Sequence, residues 1–160
     1  MTRKRSDQID PAAFRQLMEQ GCTVLRLHAA TRLGMQAYGA LMSEVDLTMP
    51  QFATLASLCR EDAQKDGLSI TALAQLVGVD ATTLTRNLRP LERRGLIVQG
   101  TAAEDRRRRV VRLTAEGRRL FARALPLWQK AQAALTKRLG APQAEALHKQ
   151  LAHVVERLRG

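Results

Sequence analysis

The sequence predicts a mainly α-helical protein with one small β-hairpin, and the composition, the residue periodicity and the placement of glycines support this class. Leu and Ala together supply 48 of the 160 residues, whereas Val and Ile together supply 12 and the aromatic residues 5. Strands favour β-branched and aromatic residues, so this balance favours helices. With 45% hydrophobic residues, the chain can bury a core, and its length suits one compact domain with extensions.

The residue order also excludes several classes of protein. No apolar run of about 18 residues is present, so no membrane span and no membrane partner are predicted. Asp7 and Asp10 lie where the apolar part of an export signal would be. The chain has only two cysteines, which give no disulfide framework. We therefore expect a cytoplasmic protein.

Motifs of metal binding and of catalysis are missing from the sequence. Its three histidines form no cluster with the cysteines, and His148 and His153 are not at the i,i+4 spacing that shares one helix face. No nucleophile elbow, phosphate-binding glycine loop or zinc-protease motif is present. We expect no metal site, no cofactor and no enzymatic activity.

Positive charge is concentrated in one segment. The net charge is +11, and the 34 residues from Arg86 to Arg119 hold eleven arginines and four acids, which leaves +7 there. Arginine forms bidentate contacts with phosphates and base edges, so we interpret this segment as a nucleic-acid-binding surface rather than a solvated face. Residues 1–10 form a basic start that we expect to be disordered.

Residues 11–45 predict one long helix, with Pro11 near its start. Apolar residues recur there at roughly helical spacing. Gly34 and Gly39 weaken the helix, and a bend is expected near them.

A second helix is predicted after this one. Thr48 and Gln51 have the spacing of a capping box, and the helix is expected to end at about Glu61. The stretch 62–67 is polar and is expected to be a loop.

Residues 68–96 predict two helices joined by a tight turn, which is a helix-turn-helix. Ser69 can cap the first helix, Gly78 suits the turn, and Asp80 can cap the second helix. Pro90 predicts a mild bend of the second helix rather than a break. The buried side of that helix is predicted to be Leu84, Leu88 and Leu91, and the opposite side Thr82, Thr83, Arg86, Arg89 and Arg93. Hydroxyls near the N-terminus with arginines further along suit the reading of a major groove, and the alternative is an ordinary helical hairpin with a solvated basic face.

After this helix, the apolar residues no longer recur at helical spacing but stand in short runs that are typical of strands. Leu96–Gln99 and Val110–Leu113 predict two strands of a hairpin whose tip is Gly100–Arg109. A basic hairpin directly after a helix-turn-helix is a wing, and arginines at its tip can enter a narrow minor groove. Asp105 is expected to pair with a neighbouring arginine and fix the loop. The alternative is that the charged tip only increases solubility.

Two further helices are predicted at the C-terminal end. Thr114 starts the first, Gly117 is tolerated within it, and it continues through Pro126 to Gly140. Pro142 then helps to start the last helix.

The apolar stripes of the terminal helices exceed what the small central module can cover. We expect residues 47–114 to form a winged helix-turn-helix DNA-binding domain. Residues 11–46 and 115–160 are expected to be dimerisation helices that pack against a second copy of the chain.

Several segments resemble the MarR family of bacterial transcriptional regulators. They are Thr48–Phe52, the helix-turn-helix, Leu91–Ile97, Asp105–Arg107 and Val111–Gly117. The order of elements agrees across nearly the whole chain, although Ala102 and Ala103 stand where many members have Asp-Pro. The resemblance implies a homodimeric winged helix-turn-helix protein that binds a pseudo-palindromic double-stranded DNA operator, usually as a repressor.

The resemblance also implies site residues. The implied DNA-binding residues are Ser69, Thr82, Thr83, Arg86, Arg89, Asp105, Arg106 and Arg107. A small-molecule effector, aromatic or phenolic by resemblance, would bind between the dimer helices and the winged domain. The residues that can line this pocket are His28, Arg32, Met35, Tyr38, Met49 and Phe52, and each of them can instead serve core or interface packing.

Other functions remain open at this point. Cys22 lies roughly where peroxide-sensing members keep their reactive cysteine, so oxidation can be the signal, and an inert buried thiol is the alternative. A winged helix can also package DNA without sequence preference or bind another protein. A regulator should prefer its operator over random DNA by roughly 10³-fold or more.

Overall fold

The computed structural model of the chain describes residues 9–60, 63, 66–102 and 108–158. Most of the elements within these residues are helices, and three are short strands. In chain order, the elements are α1 (Pro11–Gln20), α2 (Thr23–Met42), a 3₁₀ turn (Ser43–Val45), α3 (Met49–Leu58), β1 (Leu68–Ser69), α4 (Ile70–Val77), α5 (Ala81–Arg93), β2 (Ile97–Thr101), β3 (Arg109–Leu113), α6 (Ala115–Leu139) and α7 (Ala141–Leu158). The mainly helical class with a small sheet is confirmed.

The chain divides into two compact units, Met1–Gln36 and Ala37–Gly160. In the first unit, Asp10 caps α1 by accepting a hydrogen bond from the backbone N–H of Ala12 at 3.0 Å. The described helical residues of this unit leave their large apolar side chains exposed, among them Phe14, Leu17, Met18, Val24, Leu25 and Leu33.

The prediction of one helix over residues 11–45 is wrong. The chain leaves helical geometry at Gly21, whose φ is 72° and ψ 169°, and a new helix begins at Thr23. Only glycine adopts such a conformation without strain, so Gly21 is where the helix ends. Helix α2 is continuous through Gly34 and Gly39, near which a bend was expected.

Helix α3 begins as the sequence predicts. Thr48 Oγ1 accepts from the N–H of Gln51 at 3.4 Å, and Gln51 Oε1 accepts from the N–H of Thr48 at 2.9 Å, which completes the capping box. The helix ends at Leu58 rather than near Glu61. The interval 62–67 is not simply a polar loop, because Ala63 is helical and buried; residues 61, 62, 64 and 65 lie outside the described residues.

The sheet has three strands in the order β1-β3-β2, all antiparallel. Both predicted strands are present, but the third strand, β1, was not expected. It pairs Leu68 with Val111 and Ser69 with Val110. Two residues are too few to show an alternating pattern in the sequence, so β1 is visible only through its partner strand.

The C-terminal helices follow the prediction. Thr114 caps α6, the helix continues through Pro126, and Gly140 ends it with a φ of 85°. Gly117 is required rather than merely tolerated, because a Cβ there would lie 2.1 Å from the carbonyl oxygen of Leu96.

The core of the second unit lies where α3, α4, α5, the sheet and α6 meet. Its fully buried side chains include Leu55, Leu58, Leu73, Leu84, Leu88, Leu91 and Val111. Burying each such leucine contributes roughly 1.5–3 kcal/mol, so α4 and α5 are held firmly on this core. Within the described residues, no helix is both long enough and apolar enough to cross a bilayer.

Candidate nucleic-acid interface

Helices α4 and α5 form the predicted helix-turn-helix, and each cap is in place. Ser69 Oγ accepts from the N–H of Ala72 at 3.2 Å and starts α4. Gly78 ends α4 in the left-handed conformation, with φ 77° and ψ 35°, which a residue with a Cβ adopts only at a cost. Asp80 starts α5 two residues later. The turn therefore fixes where α5 begins.

The cap of α5 also determines what two predicted contact residues can offer. Asp80 accepts from the Thr83 N–H at 2.8 Å and from the Thr83 hydroxyl at 2.6 Å. These hydrogen bonds, the hydroxyl first, lower the pKa of Asp80. The Thr83 hydroxyl proton is thus committed to the cap. Thr82 is exposed, and its hydroxyl has no partner among the described residues.

The two faces of α5 have opposite chemistry. Leu84, Leu88 and Leu91 are completely buried, which orients the helix. The other face carries Arg86, Arg89 and Arg93, all exposed. Within the part of the chain that the structure describes, the side chains of these three arginines make no hydrogen bond or ion pair. The helix is therefore anchored on one side and presents free guanidinium groups on the other.

A shallow groove of about 420 Å³ lies along this arginine face and is lined by Arg86, Arg89, Pro90, Glu92 and Arg93. Glu92 does not pair with any of these arginines. Instead its Oε2 accepts a hydrogen bond from Gln99 Nε2 on β2 at 2.9 Å. Pro90 does not break the helix, as the sequence predicts, because α5 continues to Arg93.

The other described arginines of the basic segment that have partners serve the fold itself. Arg112 donates to the carbonyl of Thr101 at 3.2 Å, and Arg118 donates to the carbonyl of Leu113 at 3.3 Å. Arg119 pairs with Glu116, and Arg94 with Asp46. The +7 segment is therefore not one uniform binding surface, because four of its arginines are engaged within the protein.

The wing is described only up to its tip. Strands β2 and β3 pair from Ile97 with Leu113 to Thr101 with Arg109, and the N–H of Ala102 donates to the carbonyl of Arg108 at 2.9 Å. Arg108 and Arg109 are exposed at its base. The sequence places these two arginines within the basic tip Gly100–Arg109, although they are not among the predicted contact residues. The predicted residues Asp105, Arg106 and Arg107 lie outside the described residues.

The residues expected to line an effector pocket lie in different surroundings. His28, Arg32 and Met35 are exposed on the part of α2 that belongs to the first unit. Tyr38 is buried, donates its hydroxyl to Gln132 on α6, and has a pKa raised by burial.

The remaining two pocket candidates belong to the core of the second unit. Phe52 is buried, with its ring 5.3 Å from that of Phe121 and 6.3 Å from that of Trp128. Met49 packs against the same core, half-buried. Met49 and Phe52 line neither the groove along the arginine face nor a second cleft, which is formed by Ser43–Asp46, Arg94, Leu96, Glu116, Leu120 and Arg123.

The two cysteines lie in separate elements. Cys22 is half-buried at the break between α1 and α2. Cys59 is half-buried at the end of α3, where burial raises the pKa of its thiol against a smaller opposing effect of Arg118. A raised pKa lowers the thiolate fraction, so Cys59 is poorly suited to react. Among the described residues, no group of three His, Cys, Asp or Glu side chains could hold a metal ion.

Comparison with known proteins identifies the chain. A family model described as the MarR family matches residues 45–108, which include the helix-turn-helix. The transcriptional regulator HosA of Escherichia coli O157:H7 is 36% identical over 100 residues, which are 62% of this chain and 71% of HosA. The chain belongs to the MarR family.

Solved structures of MarR-type regulators support the same assignment. The transcriptional regulator MosR of M. tuberculosis in complex with DNA is 32% identical, with a TM-score of 0.74 over 86% of this chain and 96% of MosR. The transcriptional repressor CouR, bound to a 23-mer DNA duplex, is 31% identical, with a TM-score of 0.73 over 87% of this chain and 94% of that chain. This MarR-family chain is a DNA-binding transcriptional regulator of the winged-helix type, as its sequence predicts.

Proposed function

We propose that this regulator is a homodimeric repressor that places α5 in the major groove of a pseudo-palindromic operator. The observation that carries the proposal is the arginine face of α5, where Arg86, Arg89 and Arg93 are exposed and have no partner among the described residues. Exposed arginines in one row on an anchored helix suit contact with phosphates and base edges. A charged face that served only solubility would not need this anchoring.

The proposed contacts differ in kind along the helix-turn-helix. Arg86 and Arg89 reach toward DNA as free guanidinium groups, and Thr82 offers a free hydroxyl near the N-terminus of α5. Ser69 and Thr83 already take part in caps. We assign these two residues to the placement of the helix N-termini beside the phosphate backbone, with their remaining lone pairs facing the duplex.

The test begins by selecting the preferred operator from a library of random duplexes. The dissociation constants of wild type, Arg86→Ala and Arg89→Ala are then measured on the selected and on a random duplex across a salt series. A base-edge contact should cost about 1–3 kcal/mol on the selected duplex and relax specificity, whereas a phosphate contact should weaken both duplexes alike. Lys149→Ala is the control, because it removes one positive charge from α7, where Lys149 pairs with Glu145. Unchanged operator binding in both arginine variants would contradict the proposal.

The wing is proposed to supply the minor-groove contact. Its support is the antiparallel pair of β2 and β3, with exposed Arg108 and Arg109 leading into the tip. Arg107, carried over from the family motif with Asp105 as its partner, is proposed to enter the groove. Arg107→Ala should weaken operator binding and shift the preference for A·T pairs beside the half-site, which repeated selection with the variant would measure.

Dimerisation is proposed to use the terminal helices. In the second unit, α7 exposes Leu147, Leu151 and Val155, which a single chain leaves in contact with water. A two-fold dimer would present two copies of α5, so the half-sites of the operator should lie about one helical turn, ~10 base pairs, apart. Footprints with unrelated spacing would argue against this arrangement.

Release from the operator is proposed to follow binding of an aromatic or phenolic effector. The support comes from a structural neighbour, since CouR of Rhodococcus jostii RHA1, which is 22% identical to this chain, has been solved with p-coumaroyl-CoA, an aromatic thioester. The effector must bind more tightly to the dimer conformation with one spacing of the two reading helices than to the conformation with the other. Equal affinity for both would leave the conformational equilibrium unchanged. A panel of aromatic acids added to the complex with the selected duplex would reveal release, with Tyr38→Phe testing the predicted pocket.

Oxidation of Cys22 is the second proposed signal, and a relative supports it. The organic hydroperoxide resistance transcriptional regulator of Bacillus subtilis is 28% identical over 101 residues. If peroxide releases the wild type from its duplex but leaves Cys22→Ser bound, Cys22 is the sensor; release of both would exclude it.

Either signal acts without a chemical step on DNA, so we propose a regulator that is not an enzyme and that acts on the chromosome in the cytoplasm.

A further inference from the structure

An unusual backbone conformation lies just before α3. Asp46 has φ 52° and ψ 49°, and it is the one non-glycine residue with a positive φ among the described residues. Aspartate tolerates this left-handed conformation better than most residues. Its N–H donates to the carbonyl of Ser43 at 3.1 Å, and the N–H of Leu47 donates to the carbonyl of Met42 at 3.1 Å. The turn therefore holds the carbonyl of Asp46 in a fixed position.

Arg94, the residue directly after α5, is hydrogen-bonded to this turn. Its Nη1 donates to the carbonyl oxygen of Asp46 at 2.5 Å and lies 3.5 Å from the carboxylate of Asp46. The two residues are 48 positions apart in the sequence. The carboxylate is 93% exposed, whereas the Arg94 side chain is 32% exposed. Because a solvated ion pair contributes little, the bond to the backbone carbonyl is the main contact.

Adjacent arginines therefore have different surroundings at the end of α5. Arg93 lines the groove of the arginine face and has no partner within the described residues. Arg94 lines another cleft, of about 500 Å³, together with the Ser43–Asp46 turn, Glu116 and Arg123. Sequence alone cannot separate these two neighbours, because both look like members of one basic run.

We propose that Arg94 is a positioning residue, which fixes the C-terminal end of α5 against the Asp46 turn and so sets how α5 enters the groove. The proposal rests on the proposed function of α5 as the reading helix. The N-terminal end of α5 is fixed by the Asp80 cap, and its buried side by Leu84, Leu88 and Leu91. The bond from Arg94 to Asp46 adds a polar contact that ties the residue after the last turn to an element before the helix-turn-helix. Small changes of helix orientation reduce base-specific contacts more than phosphate contacts, because base edges demand closer geometry.

The test compares Arg94→Met with Arg93→Met, which remove the same charge from neighbouring positions. Methionine retains an unbranched apolar chain but offers no hydrogen-bond donor. Binding to the selected duplex and to a random duplex is measured across a salt series, together with the unfolding of each variant in urea. We expect Arg94→Met to lose about tenfold in operator affinity, to lose less on random DNA, and to keep the wild-type salt slope. Arg93→Met should lower the salt slope by about one.

Other outcomes separate the two ideas. If Arg94→Met lowers the salt slope as Arg93→Met does, Arg94 contacts phosphate and the positioning role is wrong. If Arg86→Ala and Arg89→Ala leave operator binding unchanged, the proposed function of α5 as the reading helix is wrong, whatever the result for Arg94→Met.

Two more variants cover the case in which Arg94→Met does not fold. Arg94→Lys keeps the charge, but its side chain is one atom shorter and its Nζ does not reach as far as Nη1 of Arg94. Positioning therefore predicts reduced operator affinity with an unchanged slope, whereas a phosphate contact predicts near wild-type affinity. Asp46→Asn keeps the backbone carbonyl and should stay within about twofold of wild type. A tenfold loss in Asp46→Asn would overturn the assignment of the carbonyl as the main contact.

Discussion

Gly117 lies where the first turn of α6 passes the end of α5. Thr114, the cap of α6, donates its hydroxyl to the carbonyl of Gly95 at 2.7 Å and accepts from the N–H of Gly117 at 3.0 Å. The N–H of Thr114 donates to the carbonyl of Leu96 at 3.1 Å. These bonds draw α6 so close to Leu96 that a side chain at Gly117 has no room. The glycine three residues after the Thr114 cap therefore has a physical basis in this contact.

Substitution of Gly117 by alanine should destabilise the protein. A Cβ would lie 2.1 Å from the Leu96 oxygen and 2.7 Å from Leu113 Cδ1, so backbone must move. We expect Gly117→Ala to lower the free energy of unfolding by about 3 kcal/mol, as overpacking does. Urea unfolding followed by circular dichroism measures this. Gly100→Ala is the control, because its Cβ meets only Arg112 Nη1, at 3.5 Å, and the change should stay within about 0.5 kcal/mol. An equal loss in both variants would contradict the explanation.

At the scale of elements, the sequence predicts what local signals determine. The caps at Thr48, Ser69, Asp80 and Thr114 are confirmed, since each depends on residues within three positions of it. The break at Gly21 was missed, because apolar residues at helical spacing continue on both sides of the glycine.

Contacts between distant segments are beyond such local signals. Strand β1 is defined by its pairing with β3, and the role of Arg94 by a residue 48 positions earlier. The sequence correctly grouped Arg86 and Arg89 on one face of α5. It could not show that Arg112 and Arg118 bind backbone carbonyls of the protein itself. Charge is visible in a sequence, but the partner of a charge is not.

Removing the acid from the arginine face should strengthen DNA binding. Glu92 shares the groove with Arg86, Arg89 and Arg93, and it bonds to Gln99. Glu92→Gln keeps an oxygen that can accept this bond and removes one negative charge beside the phosphates. We expect about threefold tighter binding at low salt, with the gain fading as salt rises, since exposed charges are screened. Titration of labelled duplex at several salt concentrations measures it.

The matched control for this prediction is Glu145→Gln. Glu145 is also exposed and pairs with Lys149 within α7. Its substitution changes the net charge by the same amount as Glu92→Gln. A gain in DNA affinity shared by both variants would indicate a general effect of net charge. A loss of affinity in Glu92→Gln alone would indicate that the charge of the Glu92 carboxylate is needed to hold Gln99 and the wing in place, and that a neutral acceptor at this position is not sufficient.

At the scale of the whole molecule, the positive charge and the exposed apolar surface lie on different elements. The exposed arginines without a side-chain partner among the described residues include those on α5 and at the base of the wing. Helix α7 carries exposed leucines and a valine and has few buried side chains. An isolated chain would leave that apolar surface in water, which is unfavourable at roughly 25 cal/mol per Å². A second copy of the chain is the partner that the proposed two-fold operator requires.

A charge placed in the apolar stripe of α7 should therefore separate the dimer and abolish operator binding. Leu151 is 37% exposed in the single chain, and in a dimer through α7 Leu151→Glu would bury an unpaired carboxylate. Sedimentation should then give a species near the 17.8 kDa chain mass instead of twice that value. Affinity for the two-half-site duplex should fall much more than affinity for a single half-site. Val98→Glu is the control, since Val98 is 49% exposed on β2 and is not part of the terminal helices, and this variant should remain dimeric. If Leu151→Glu sediments as a dimer and α7 keeps its helix content, the interface lies elsewhere on the chain.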